Sequence, residues 1–191
     1  MARCANFKFD NQLIYVQSSY VNYMKVQTDT SEIQLVDSTA KLVQDLRDKN
    51  ITLGCSESCT GGLLSSFLTL HAGVSEIFFG SIVSYANSVK VKLLNVSPET
   101  LSRVGAVSSE TAKQMAEGCQ QQLEVSLAVS ITGIAGPAGG SPEKPVGTVF
   151  IAVTGLKRET QVFEHHFKGA RKEIQLQACA EAVKHLTEFI E

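Results

Sequence analysis

Apolar positions along this chain follow two rhythms that take turns. Leu42, Val43 and Leu46 recur at helical spacing between Ser38 and Lys49, which predicts a helix there with Asp37 or Ser38 as its cap. Ile51-Thr52-Leu53 opens a short β-branched run and predicts a strand over 51–56, while Leu63-Leu64-Ser65-Ser66-Phe67-Leu68 predicts a helix within 60–70. Residues 78–85 read as a buried strand and 87–94 as a short helix. Pro98, with its locked φ, starts a helix reaching residue 104, and Ser108-Ser109-Glu110-Thr111 begins a capped one reaching about residue 124. A strand over 126–131 and a strand pair, 146–154 and 160–168, turning around Gly155, precede a long amphipathic helix over 169–190.

Strands alternate with helices first, and then two strands pair before the last helix. That order predicts a three-layer α/β sandwich on a mixed sheet, occupying residues 36–191 as one domain. Residues 1–35 are an N-terminal extension in which Phe7, Phe9, Leu13, Ile14, Tyr15 and Val16 suggest a short strand or hairpin, interrupted by Gln, Ser and Asn. The extension is expected either to drape over the body or a neighbouring subunit, or to stay disordered.

Composition narrows the class. A chain of 191 residues with 43% hydrophobic and 19% charged residues is large enough for a single buried core. A formal charge of −2 supplies no field for nucleic acid or a membrane surface, and no apolar run reaches the length of a membrane span. The expectation is a cytoplasmic protein without nucleic-acid or membrane partners. Cys4, Cys55, Cys59, Cys119 and Cys179 have neither disulfide-framework nor zinc-ligand spacing, and His71, His165, His166 and His185 do not flank them, so buried reduced thiols are expected. His165 and His166 lie in a predicted strand and are expected to pack or to face solvent.

Two punctuated segments carry the candidate chemistry. Gly54-Cys55-Ser56-Glu57-Ser58-Cys59-Thr60-Gly61-Gly62 packs hydroxyls and glycines into a strand-to-helix turn, where the first helical amides lack partners and suit a serine nucleophile, an oxyanion or a phosphate. The stretch Thr132–Gly147 holds five of the fourteen glycines and three of the four prolines, which shapes a loop at the carboxyl end of a strand, where open α/β sheets hold ligands.

Glu57-Ser58-Cys59-Thr60-Gly61-Gly62, Tyr85-Ala86-Asn87-x-x-Lys90, Gly105-Ala106-Val107-Ser108 and Thr132-Gly133-Ile134-Ala135-Gly136-Pro137 occur in this order. Together they resemble the nicotinamide-nucleotide amidohydrolase family, whose domain also forms the C-terminus of CinA competence-associated proteins, over roughly residues 37–190. The resemblance implies hydrolysis of the carboxamide of nicotinamide mononucleotide to nicotinate mononucleotide and ammonia, with no metal and no cofactor, in a homodimer. Some members are known only by the competence association, so a non-catalytic nucleotide-binding or interaction domain is the alternative.

An amide is a poor electrophile, so its hydrolysis needs an activated nucleophile, an oxyanion cradle and a proton for the departing ammonia. Ser58 is the candidate nucleophile, with Gly61 and Gly62 leaving room for substrate to approach backbone amides. No histidine stands near a glycine-rich or acidic motif, so a lysine base replaces the usual imidazole, and the family pattern points to Lys90. Only about one free lysine in 2,500 is neutral at pH 7, so Lys90 must be strongly perturbed. Tyr85 is placed to relay the proton or to orient Lys90. For the nucleotide, Gly133, Gly136, Gly139 and Gly140 lie in the loop that offers backbone amides, Thr60 or Thr132 a hydroxyl, and Arg171 a guanidinium for phosphate or oxyanion. Ser141-Pro142-Glu143-Lys144 also has S-x-x-K spacing, but Pro142 disfavours the helical turn that spacing requires. The chain departs from the family pattern at Ser56 (commonly alanine), Ala138 (often glycine) and Gln175 (often a second arginine).

Overall fold

The computed structural model describes the backbone of residues 5–9 and 12–16 and all of residues 30–191. The chain divides into two compact units, 1–33 and 34–191. In the first, β1 (Ala5–Phe9) and β2 (Gln12–Val16) pair antiparallel, with Ala5 opposite Val16. That is the hairpin suggested by the apolar clusters; how it sits relative to the rest lies outside the described residues.

The second unit carries α1 (Thr30–Asp48, from Gln34 onward), β3 (Leu53–Glu57), α2 (Leu63–Leu68), β4 (Phe78–Val83), α3 (Asn87–Leu94) and α4 (Pro98–Val104). After these come α5 (Ser109–Leu123), β5 (Leu127–Gly133), β6 (Thr148–Gly155), β7 (Arg158–His166) and α6 (Arg171–Ile190). The five strands of the unit form one mixed sheet in the order β4-β3-β5-β6-β7. β3 runs parallel to both β4 and β5, and β6 is antiparallel to β5 and β7. Helices cover both faces, as the alternation predicted. Because the parallel neighbours of β3 lie on opposite sides of it, the carboxyl ends of β3, β4 and β5 border one crevice, the usual ligand position in such sheets.

The two faces are built from different residues, as the period of two along a strand allows. Leu53, Cys55, Val129, Ile131, Val149, Ile151 and Val153 point to a core of large aliphatic side chains shared with Leu42 and Leu46 of α1 and Ala178, Ala182 and Leu186 of α6. The opposite face, under α5, mixes small sheet residues with a few large ones such as Phe150. Ala128 packs with Met115 and Cys119, and Ala152 with Ala112 and Ala116. Two sheet serines meet the helix directly: Ser56 Oγ donates to the Met115 carbonyl at 3.2 Å and Ser130 Oγ to that of Ala112 at 2.6 Å. The departure at position 56 thus gives a buried hydroxyl a partner.

Local signals explain most element ends. Ser97 Oγ accepts from the amides of Glu99 and Thr100, with Pro98 in the first turn, and Ser108 Oγ accepts from Thr111. The start of α1 differs from expectation. The helix begins at Thr30 rather than near Ser38, because the Ser38 and Thr39 hydroxyls turn back onto the Leu35 carbonyl at 3.1 and 2.8 Å instead of capping. Among the described residues, no helix is long and apolar enough to cross a membrane.

α5 also fixes α3. A Cβ added at Gly118 would lie 1.9 Å from the Leu94 carbonyl oxygen, so only glycine lets these two helices approach as they do. The Gly118→Ala variant is therefore expected to lose about 2–3 kcal/mol of unfolding free energy in urea titrations. An unchanged midpoint would mean that α3 and α5 can separate freely.

Candidate functional site

The crevice begins with the β3–α2 turn. Ser58 follows the last residue of β3, and its amide donates to the Ile131 carbonyl of β5 at 2.9 Å, which continues the parallel ladder one step past the strand. On the other side the Ser84 amide donates to the Glu57 carbonyl at 2.8 Å and extends β4 in the same way. These bonds set the turn rigidly between two strand ends.

Lys90, in α3, reaches into this position. Its Nζ lies 2.8 Å from Ser58 Oγ and 2.5 Å from the Ser84 carbonyl oxygen. The lysine is 1% exposed and Ser58 9%. Burial lowers the Lys90 pKa from 10.5 to about 8, against a small opposing effect of the Cys59 thiol. The folded chain therefore binds this proton more weakly than the unfolded chain. The group costs stability below pH 8, and that cost disappears as pH rises from about 8 toward 10.5. A neutral Lys90 has one lone pair and two N–H bonds. With one N–H on the Ser84 carbonyl, the lone pair can accept the Ser58 proton.

The amides at the start of α2 are occupied by a residue that the sequence motif contains but to which the sequence assigned no role. Glu57 is 0% exposed, and its carboxylate accepts from the amides of Gly62 (3.0 Å), Leu64 (3.2 Å) and Ser65 (3.0 Å), and from Ser65 Oγ at 2.5 Å. It thus caps α2 from inside the protein. The Gly62 amide, expected to face substrate, is committed to Glu57, and the Gly61 amide donates to the Ser58 carbonyl at 3.2 Å. Both glycines have positive φ (63° and 98°), which lets the chain fold back over the carboxylate. A charged residue at the end of an apolar strand was the available signal for this role.

Next to the pair, the Thr60 Oγ1 and Ser84 Oγ atoms are buried with no hydrogen-bond partner among the described residues. Buried hydroxyls are nearly always satisfied, which sets these two apart from the rest of the turn. Cys59 is no competing nucleophile, since burial pushes its thiol up to about 12. The other described cysteines, Cys55, Cys119 and Cys179, are buried free thiols as well.

Tyr85 and Arg171 form a second group. The 63% exposed Tyr85 accepts on its hydroxyl from Arg171 Nη2 at 3.0 Å, and Arg171 Nη1 donates to the Gly136 carbonyl at 2.8 Å. Arg171, the first residue of α6, thus joins the tyrosine to the glycine-rich loop, and the Tyr85 hydroxyl is engaged by the guanidinium rather than by Lys90. Thr132 and Gly133 hold the scaffold: Thr132 Oγ1 donates to the Ala106 carbonyl at 2.8 Å, and a Cβ at Gly133 would come within 2.7 Å of the Thr148 carbonyl oxygen. Gly139 and Gly140 sit on the exposed part of the loop. Ser141–Lys144 is a small turn whose Lys144 Nζ donates to the Val104 carbonyl at 2.7 Å. Gln175, where the family often has arginine, donates to the Cys59 carbonyl at 2.7 Å and ties α6 to the nucleophile turn.

Comparison with known proteins follows the same boundaries. The family model described as CinA C-terminal domain matches residues 36–190. A CinA-like protein of Leptospira borgpetersenii is 48% identical over 131 residues, covering 69% of this chain and 31% of that protein. One from Thermotoga sp. is 42% identical over 149 residues, covering 78% and 36%. The chain thus spans about a third of the length of these relatives. Among solved structures, a competence/damage inducible protein of Agrobacterium tumefaciens superposes with a TM-score of 0.81 at 36% identity, covering 82% of this chain and 96% of that one. A CinA-superfamily protein of Escherichia coli gives 0.78 at 31% identity, covering 81% and 90%.

Replacing Glu57 by glutamine keeps its shape but sets an NH2 group against amide donors. Glu57→Gln is expected to lower unfolding free energy by about 1–3 kcal/mol in denaturant titrations. A neutral result would mean that solvent reaches the start of α2.

Proposed function

This chain belongs to the CinA C-terminal domain family, and from that premise we propose that it is a metal-independent amidase that hydrolyses the carboxamide of nicotinamide mononucleotide. The observation that carries the reading is the 2.8 Å contact between Ser58 Oγ and a buried lysine whose pKa lies near 8. A pKa in that range leaves about one lysine in ten neutral at pH 7, several hundred times the fraction of a free lysine. A hydroxyl next to such an amine is an activated nucleophile.

In the proposed reaction, Ser58 Oγ attacks the carboxamide carbon while its proton passes to Lys90 Nζ. The Thr60 hydroxyl, without a hydrogen-bond partner among the described residues, is proposed to turn toward the developing oxyanion. Collapse of the tetrahedral intermediate breaks the C–N bond, and the Lys90 ammonium returns the proton to the departing ammonia. Water then attacks the acyl-serine, with Lys90 as base again, and releases the carboxylate product. Arg171, steadied by Tyr85 and the Gly136 carbonyl, is the cation for the nucleotide phosphate, beside the exposed Gly139 and Gly140. Tyr85 acts in this scheme by orienting Arg171. Two copies of the chain are proposed to assemble as a homodimer.

Ammonia release from nicotinamide mononucleotide by the purified full chain tests the reading. Ser58→Ala and Lys90→Met are expected to lower kcat/KM by about 10²–10⁴-fold, with Ser58→Ala retaining folding stability to within about 1 kcal/mol and Lys90→Met, which removes a buried charge, retaining or gaining it at neutral pH. The wild-type rate needs the neutral amine. It is therefore expected to rise about tenfold from pH 7 to pH 9 and to level off above, on an apparent pKa of about 8. Saturable nucleotide binding without ammonia release would assign the crevice to a non-catalytic domain instead.

A further inference from the structure

Away from the Ser58–Lys90 pair, among the described residues, one set of side chains converges with metal-ligand chemistry: His165 of β7 with Glu181 and His185 of α6. Glu181 and His185 are four residues apart and share a helix face, and β7 lies at the sheet edge beside them. The sequence expectation for His165, packing or solvent, misses this partner.

The geometry is specific. His165 Nε2 and His185 Nε2 lie 3.0 Å apart, His185 Nε2 is 3.9 Å from Glu181 Oε2, and the ligand atoms of the three residues lie within 4.8 Å of one another. Two imidazoles bound tetrahedrally to one Zn²⁺ at ordinary bond lengths place their nitrogens about 3.3 Å apart, so the imidazole pair needs movements of only a few tenths of an ångström, and the Glu181 side chain a larger swing toward them. The far nitrogen of His185 is held as well: Nδ1 faces Glu188 Oε2 at 3.4 Å. A carboxylate there accepts a hydrogen bond from Nδ1–H, which leaves the Nε2 lone pair for the cluster, the carboxylate–histidine arrangement that supports bound metals. Glu181 Oε2 also accepts only, so two lone pairs converge, with the His165 ring supplying at most one proton between them. Lys184 Nζ, 3.6 Å from Glu181 Oε2, is the cation now paired with that carboxylate. Stacking fixes both rings: Phe163 lies 3.6 Å from His185 at an interplanar angle of 3°, and Phe167 lies 5.1 Å from His165 at 7°.

We propose that His165, Glu181 and His185 form a site for a divalent transition ion of the Zn²⁺ type, which clamps the edge strand β7 to α6. Two imidazoles and one carboxylate select Zn²⁺, Co²⁺ or Ni²⁺ over Mg²⁺ and Ca²⁺. The clamp is separate from the Ser58–Lys90 chemistry and does not depend on it.

Titration of the full chain with Co²⁺, followed by its visible absorption bands, tests the site with the metal alone. The expected result is one saturable equivalent, displaced by Zn²⁺, with a higher thermal midpoint in the loaded protein. His165→Ala and Glu181→Gln, at partly exposed positions, are expected to weaken binding at least about tenfold, and Glu188→Gln, which changes only the Nδ1 partner, by about tenfold. Absence of saturable binding overturns the proposal, as does binding unchanged in both His165→Ala and Glu181→Gln. A thiolate charge-transfer band would place the ion on cysteine and overturn it equally.

Discussion

One carboxylate with no access to water holds the crevice end of this sheet together. Glu57 ends β3 and turns inward, and three backbone amides at the start of the next helix, with the Ser65 and Ser81 hydroxyls, converge on it. A buried carboxylate without such donors would cost several kcal/mol, and helix amides without an acceptor would also be unsatisfied. Each solves the other's problem. The chain between them, Ser58 to Gly61, has little freedom left, and Ser58 is held by that frame together with its own amide bond to Ile131.

That constraint gives the lysine its meaning. Lys90 enters from a helix whose position is set by close packing on α5, and it finds a carbonyl and a hydroxyl where water is excluded. The same burial that penalises its charge favours the neutral amine, as the proposed reaction requires. The fold thus accepts a local loss of stability at neutral pH in exchange for a neutral amine beside Ser58.

Much of this was legible in the chain itself. Periodicity located the strands and helices, and the Ser97 and Ser108 caps fell where hydroxyls precede helical patterns. The pairing of Ser58 with Lys90 was readable only through family motifs, because 32 residues separate them and no local pattern announces a long-range contact. Other features were hidden for a plain reason: their role depends on what faces them. Glu57 looked like one more polar residue in a turn, Thr132 like a ligand hydroxyl, and Tyr85 like a neighbour of Lys90. Tertiary contacts gave the first a helix to cap, the second the Ala106 carbonyl and the third a guanidinium. The early start of α1 was missed because serine and threonine can bond either forward or backward along the chain, and here they bond backward.

The unequal faces of the sheet have an evolutionary consequence. Beneath α1 and α6, aliphatic side chains of similar volume can be exchanged with modest repacking, and that half of the interior is free to diverge. Beneath α5, Gly118 sits so close to the Leu94 carbonyl that an added methyl displaces a helix, and with it the arm that carries Lys90, while Ser56 and Ser130 are tied to helix carbonyls. Descendants of this chain should therefore vary in lopsided fashion, with the side away from α5 drifting and the α5 side held fixed by residues that never meet a ligand.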